Sequence, residues 1–130
     1  MKISHIGIAV KSIKDAKKTY ELLGLKLSEM RELPERNLGV AFFEIGESRI
    51  ELIESLGKSA ISNFLEKRGE GLHHVALEVE DIRENLKILK ENGYRLIDEK
   101  PQRGADGLVA FLHPKSTNNV LIELTQKEYK

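Results

Sequence analysis

A stretch of 23 residues decides the fold, because it occurs twice in the chain. Residues 5–27 read HIGIAVKSIKDAKKTYELLGLKL, and residues 74–96 read HVALEVEDIRENLKILKENGYRL. At a constant offset of 69, six of the 23 paired positions are identical, whereas chance would give about one or two in chains of ordinary composition. The repeat predicts two copies of one supersecondary unit.

Each copy begins with a strand and continues with a helix. Apolar residues alternate with small or polar ones over the first positions, which is typical of a strand. A side chain that can cap a helix follows, Ser12 in the first copy and Asp81 in the second. Apolar residues then recur at helical spacing until Gly24 and Gly93, which are expected to end the two helices.

Three more strands follow in the first copy, and a short helix links the two copies. Alternation predicts strands over residues 25–30, 38–45 and 49–54. Apolar spacing predicts the linking helix over about 59–68. The second copy repeats the later strands, because Val-Ala-Phe and Ile-Glu-Leu recur in it at offsets of 69 and 72. We therefore predict an α+β fold of two tandem βαβββ modules.

The two modules, over about 3–55 and 72–127, are predicted to form a single domain of residues 1–130. Neither half of 130 residues could bury its own sheet. We therefore expect all the strands to join in one curved mixed sheet with a cup on one face.

The composition excludes several kinds of partner and site. The chain has 21 basic and 21 acidic side chains, and this balance argues against nucleic acid or an anionic membrane as the main partner. It has no cysteine, so disulfides, thiolate nucleophiles and cysteine-ligated zinc or iron–sulfur sites are excluded. No signal peptide is visible at the start and no run of about 18 apolar residues occurs, so we expect a cytoplasmic location.

The repeat also aligns residues that can bind a metal ion, because histidines and glutamates of the first copy match those of the second. It pairs His5 with His74 and, after a three-residue insertion, Glu51 with Glu123. Strand parity places each of them opposite the apolar residues that meet the helices. A single histidine or glutamate on a strand is more often an ordinary polar residue than a ligand. The coincidence at equivalent positions of the repeat favours a divalent metal site, and nitrogen and oxygen ligands suit Zn, Co, Ni, Mn or Fe.

Four motifs carry a resemblance to a known family. They are HIGIAV at residues 5–10, IEL at 50–52, GEGLHHVAL at 69–77, and AFLHPKS followed by VLIEL between 110 and 124. The paired units resemble the vicinal oxygen chelate superfamily, with its glyoxalase fold, whose members build a metal-binding cup from two such modules. Over nearly its whole length, the chain resembles the methylmalonyl-CoA epimerase family within that superfamily.

The resemblance implies an isomerase that acts on a small acyl-CoA and forms a homodimer. The family interconverts (R)- and (S)-methylmalonyl-CoA by removing the proton at the α carbon and returning it on the other face. The family's metal ligands correspond to His5, Glu51, His74 and Glu123, and the implied metal is a divalent ion such as Co, Mn, Ni or Zn. Glu123 also corresponds to the carboxylate that acts as a base beside the metal.

The second base is where the chain departs from part of the family. Some members carry a glutamate on the third strand, and Val40 stands at that position here. Glu51 is the symmetry mate of Glu123, and we therefore predict that Glu51 is the second catalytic base.

Two other functions within the same superfamily compete with this interpretation. Glyoxalase I (lactoylglutathione lyase) resembles the chain in its two histidines and two glutamates, but tends to have a short Asp-Pro turn where His113-Pro114-Lys115-Ser116 stands here. A metal-free ligand-binding module is the second alternative, and the presence of all four ligand positions speaks against it. Iron-dependent ring-cleaving dioxygenases use two histidines and one carboxylate, so the additional Glu51 makes them a poor match.

Overall fold

The computed structural model describes residues 1–104 and 106–128, and the chain divides into two compact units. The first unit comprises residues 5–73, and the second comprises residues 74–130 together with Met1–Ser4. The division follows the sequence repeat, with the linking helix assigned to the first unit. The grouping of both repeats into one domain stays a prediction.

The first unit has the βαβββ order that the sequence predicts, followed by the linking helix. Its elements are β1 (Lys2–Ala9), α1 (Ile13–Leu22), β2 (Lys26–Leu33), β3 (Leu38–Ile45), β4 (Ser48–Ser55) and α2 (Ala60–Arg68). Of β1, the residues from His5 onward belong to this unit. The strand order is β2-β3-β4-β1, with β1 parallel to β4 and the other neighbours antiparallel.

The second unit repeats this order. Its elements are β5 (Gly71–Glu78), α3 (Ile82–Glu91), β6 (Gln102–Arg103), β7 (Gly107–Phe111) and β8 (Ile122–Lys127). Of β5, the residues from His74 onward belong to this unit. The strand order is β5-β8-β7-β6, and again the first strand lies parallel to its neighbour while the others are antiparallel.

The helix signals in the sequence are confirmed at both repeats. The side chains of Ser12 and Asp81 each accept a hydrogen bond from the backbone N–H three residues further on, at 3.3 and 3.1 Å. Gly24 and Gly93 follow the helix ends with φ values of +89° and +83°. This left-handed conformation favours glycine, so both residues let the chain turn back toward the sheet.

One predicted strand is much shorter than expected. In the second unit, the counterpart of β2 consists of an isolated bridge between Leu96 and Leu112 and of the two-residue strand β6. The bridge corresponds, at the offset of 69, to the pairing of Leu27 with Phe43 in the first unit. Pro101 interrupts the stretch, because proline has no N–H to donate to a neighbouring strand.

In each unit, a helix covers one face of the sheet. α1 covers a cluster in the first unit, and α3 covers a cluster in the second. The buried members are Val10, Ile13, Ala41, Phe43 and Leu52 under α1, and Val79, Ile82, Leu86, Leu108, Ala110, Leu112 and Leu124 under α3. We call the opposite face of each sheet its ligand face, because it carries His5 and Glu51 in the first unit and His74 and Glu123 in the second.

The linking helix α2 covers part of the ligand face of the first unit. It buries Ile61 against one end of the strands, in a cluster with Ala9, Val40, Phe42 and Ile53. His5 lies four residues before Ala9 on the same face of β1, so it lies about 13 Å along the strand from Ala9. Among the described residues, no helix is long and apolar enough to cross a membrane.

The repeat also includes a contact that the sequence did not predict. The first backbone N–H of α1, at Ile13, donates to Glu54 Oε1 at 2.7 Å. The first N–H of α3, at Ile82, donates to Gln126 Oε1 at 2.8 Å. Each last strand therefore supplies a side-chain oxygen to an N–H that has no partner within its helix.

Candidate metal centre

The first unit brings His5 and Glu51 together on neighbouring parallel strands. His5 lies on β1 and Glu51 on β4, and the register places Glu51 opposite Gly7, two residues beyond His5. Gly7 has no side chain, so the glutamate can lean along the face toward the imidazole. His5 Nε2 and Glu51 Oε1 are 3.5 Å apart, and their side chains are only 10% and 13% exposed.

The second unit builds the same pair from the second copy. His74 lies on β5 and Glu123 on β8, and Glu123 stands opposite Ala76, again two residues beyond the histidine. His74 Nε2 and Glu123 Oε1 are 3.5 Å apart, with side-chain exposures of 4% and 9%. The two units thus carry equivalent half-sites, each with one imidazole nitrogen and one carboxylate oxygen.

A phenylalanine completes each half-site, and sequence analysis did not assign it this place. The rings of His5 and Phe42 meet edge to face, with centroids 6.2 Å apart and an interplanar angle of 84°. The rings of His74 and Phe111 do the same at 5.9 Å and 82°. These contacts fix the imidazole planes. The signal was present in the sequence, because Phe42 and Phe111 are related by the offset of 69.

The geometry of each half-site fits a divalent ion. A charge-assisted hydrogen bond between imidazole and carboxylate usually spans about 2.7–2.9 Å, so 3.5 Å is long for one. Two ligand atoms that each lie about 2.1 Å from an ion and 3.5 Å from each other subtend roughly 110° at the ion, which suits tetrahedral coordination. A buried carboxylate (Glu123) and a largely buried one (Glu51) would also need a compensating positive charge.

The other two histidines make different contacts. His73 packs edge to face against Phe64 of α2, with ring centroids 5.0 Å apart. His113 Nδ1 accepts a hydrogen bond from the backbone N–H of Lys115 at 3.1 Å, at the start of a short turn.

The residue predicted to stand at the position of the family's second base is apolar. Val40 lies on the ligand face of the first unit and is buried in the cluster with α2. Glu44, four residues on, is exposed and accepts a hydrogen bond from Ser28 Oγ at 2.7 Å. The prediction that Glu51 replaces the missing carboxylate therefore depends on its place beside His5.

Comparisons with known proteins identify the family of this chain. The sequence profile of the family described as Glyoxalase/Bleomycin resistance protein/Dioxygenase superfamily matches residues 4–111. The mitochondrial methylmalonyl-CoA epimerase of Dictyostelium discoideum is 39% identical over 130 residues, which cover 97% of this chain and 78% of that protein. The ethylmalonyl-CoA/methylmalonyl-CoA epimerase of Cereibacter sphaeroides is 38% identical over 130 residues, covering 96% of this chain and 97% of that protein.

Solved structures of methylmalonyl-CoA epimerases have the same fold as this chain. The structure of a methylmalonyl-CoA epimerase in complex with methylmalonyl-CoA and ammonium superposes with a TM-score of 0.90 and 30% sequence identity. The superposition covers 97% of this chain and 94% of that one. The predicted α+β fold of two βαβββ modules is confirmed. The chain belongs to the glyoxalase/bleomycin resistance protein/dioxygenase superfamily and, within it, to the methylmalonyl-CoA epimerases.

Proposed function

We propose that this chain is a metal-dependent isomerase that interconverts (R)- and (S)-methylmalonyl-CoA. The observation that carries the proposal is the pair of equivalent, largely buried histidine–glutamate half-sites. Relatives that match nearly the whole of this chain and are named methylmalonyl-CoA epimerases support it. The complex of one such structural relative with methylmalonyl-CoA supports an acyl-CoA as the substrate.

The proposed ligands of the ion are the four side chains of the two half-sites. They are His5, Glu51, His74 and Glu123. Two neutral imidazoles and two ionised carboxylates carry a formal charge of −2, or −1 when one glutamate holds the proton for catalysis, and a divalent cation compensates this charge. Nitrogen and oxygen ligands suit Co, Mn, Ni or Zn, and we propose an ion of this group. When bound, the ion supplies positive charge where an enolate oxygen develops, and so lowers the barrier to proton removal.

The chain's own residues move the proton. We assign Glu123 as the base on one face of the substrate and Glu51 as the group on the other. As the α C–H bond breaks, the carboxylate of Glu123 takes the proton and the electron pair moves into the enolate. A protonated Glu51 then donates its proton to the opposite face of the same carbon, which inverts it. The reverse reaction exchanges the two roles.

Deuterium exchange at the α carbon tests the proposal. Methylmalonyl-CoA is incubated in D₂O with metal-loaded protein, with chelator-treated protein, and with His74→Ala and His113→Gln variants. We expect metal-dependent loss of the α-proton NMR signal in the wild type and in His113→Gln, and no loss in His74→Ala. A parallel assay follows a glutathione hemithioacetal.

The outcomes separate the alternative functions. Activity on the hemithioacetal alone would make the chain a glyoxalase I and would refute the epimerase. A chain that takes up no stoichiometric divalent ion, yet binds ligand, would be a metal-free binding module. Exchange that persists fully in the chelator-treated protein would refute the metal-dependent mechanism.

We also propose that the enzyme is a homodimer and works in the cytoplasm. Analogy with the superfamily supports the homodimer. Light scattering coupled to size-exclusion chromatography measures the mass, with 14.7 kDa expected for one chain and twice that for the dimer. A monomer at micromolar concentration would refute the dimer.

A further inference from the structure

The ligand face of the first unit carries a charged cluster beside its half-site. Arg31 Nε and Nη2 donate to the two carboxylate oxygens of Glu29 at 2.6 and 2.9 Å, which is a bidentate pair. Arg49 Nη1 forms an ion pair with the same carboxylate, at 3.9 Å from Glu29 Oε1. The three side chains together carry a formal charge of +1.

Arg49 is held next to the His5–Glu51 pair. Its guanidinium carbon lies 4.0 Å from the centroid of the Phe42 ring, in a cation–π contact. The same ring meets His5 edge to face. In the strand register Arg49 is the partner of His5, and it precedes Glu51 by two residues on the same face of β4. Phe42 is the register partner of Glu51, so the guanidinium lies over the ring of the residue opposite this glutamate.

The direction of the strands places Arg49 at the end of this half-site that α2 does not cover. α2 covers the end of the face that carries Ala9 and Ile53. Arg49 lies four residues before Ile53 on β4, at the other end, and its side chain is 23% exposed. A substrate group that approaches His5 and Glu51 from the side opposite α2 would pass this guanidinium.

The second half-site has no equivalent charge at this position. The offset of 72 that pairs Glu51 with Glu123 pairs Arg49 with Leu121. Histidine, glutamate and phenylalanine are therefore shared by the two half-sites, whereas the guanidinium belongs to one of them. A substrate with two chemically different ends could use this difference to bind in a single orientation.

We propose that Arg49 binds the free carboxylate of an acyl-CoA that carries a carboxyl group on its α carbon, and so selects such thioesters over monocarboxylic ones. The inference rests on the proposed function and names its specificity determinant. The planar guanidinium can donate two parallel hydrogen bonds to a carboxylate, which a lysine cannot reproduce. Stacking on Phe42 fixes the plane of the group before the substrate arrives.

Dissociation constants measured by titration calorimetry test the assignment. The ligands are methylmalonyl-CoA, propionyl-CoA, which lacks only the carboxylate, and free CoA. The proteins are metal-loaded wild type, Arg49→Gln, Arg49→Lys and, as a matched control on the surface of α3, Arg83→Gln. Metal content per chain is measured in every sample, so that an intact half-site is verified independently of binding.

We expect Arg49→Gln to weaken methylmalonyl-CoA about 10- to 100-fold, or about 1.4–2.7 kcal/mol. Propionyl-CoA and CoA should change less than about twofold, and Arg49→Lys should lie between wild type and Arg49→Gln. Equal weakening of all three ligands would assign Arg49 to the CoA phosphates and overturn the proposal, as would no change at all. Wild type that binds methylmalonyl-CoA no better than CoA would instead refute the proposed function itself.

Discussion

Replacement of Glu51 by glutamine separates two roles that the mechanism gives to one side chain. Glu51 is proposed both to bind the ion and to deliver the proton on one face of the substrate. Glutamine keeps an oxygen at the end of a side chain of the same length, but it cannot hold and release a proton in this way. The variant should therefore keep much of its metal and lose epimerisation.

The expected magnitudes follow from the half-site. The ligand oxygen of Glu51 lies 3.5 Å from His5 Nε2, and the glutamine oxygen can take the same place. We expect metal content to stay near one ion per chain when metal is supplied in excess. A positioned acid–base group typically contributes about 10²–10⁴-fold to a rate, so the barrier to epimerisation should rise by roughly 3–5 kcal/mol.

The assay follows exchange and inversion separately, starting from each pure epimer in D₂O. The epimer whose proton faces Glu123 should still exchange it in Glu51→Gln, while conversion to the other epimer slows. From the other epimer, both processes should slow. Glu123→Gln is the matched variant and should give the opposite pattern between the epimers.

Full epimerisation by Glu51→Gln would refute the assignment of the second base. In that case Glu35→Gln becomes the informative variant. Glu35 is exposed on the short turn Pro34–Arg36 that leads from β2 into β3, the strand that carries Val40. Loss of epimerisation in Glu35→Gln, with retention in Glu51→Gln, would move the second base to this turn.

Three further predictions concern the metal and the stability of the fold. Metal analysis should find one ion per chain, and His74→Ala should abolish tight binding, whereas two independent sites would leave one ion bound in that variant. Glu54→Ala should lower the free energy of unfolding by about 1 kcal/mol, because the first N–H of α1 loses its acceptor. Glu54→Gln keeps an acceptor oxygen and should be nearly neutral. Urea unfolding of both variants measures the two free energies, and equal losses of stability would contradict this role of Glu54. Ile82→Ala should cost about 2–5 kcal/mol in the same assay, because this side chain is fully buried, and a loss below about 1 kcal/mol would contradict the packing described under α3.

Much of the fold could be predicted because the repeat supplies the same information twice. Each strand and helix signal in one copy is checked by its counterpart, as Ser12 and Asp81 illustrate at the two helix starts. The exception is the counterpart of β2, where Pro101 interrupts a stretch whose apolar positions, such as Leu96, still follow the repeat. The periodicity of the sequence shows that the apolar positions of this strand are kept, but it does not show that most of its hydrogen bonds to the neighbouring strand are missing.

The candidate site could be predicted only in part, for a different reason. His5 and Glu51 are recognisable because their residue types are ligands and their positions repeat. Phe42 and Arg49 are not, because phenylalanine on an alternating strand is typical of a core, and arginine is typical of a surface. Their place beside His5 depends on the pairing of β3 with β4 and of β4 with β1, which no local pattern contains.

The duplication accounts for both the symmetric and the asymmetric parts of the proposed chemistry. Epimerisation removes a proton from one face of a carbon and adds one on the other, so equivalent groups are needed on both sides, and Glu51 and Glu123 are equivalent. The substrate itself is not symmetric, because a thioester and a carboxylate flank that carbon. A perfectly symmetric site would bind it in two opposite orientations. The pairing of Arg49 with Leu121 breaks the symmetry at one position beside the half-sites, which can orient the substrate while leaving the two bases equivalent.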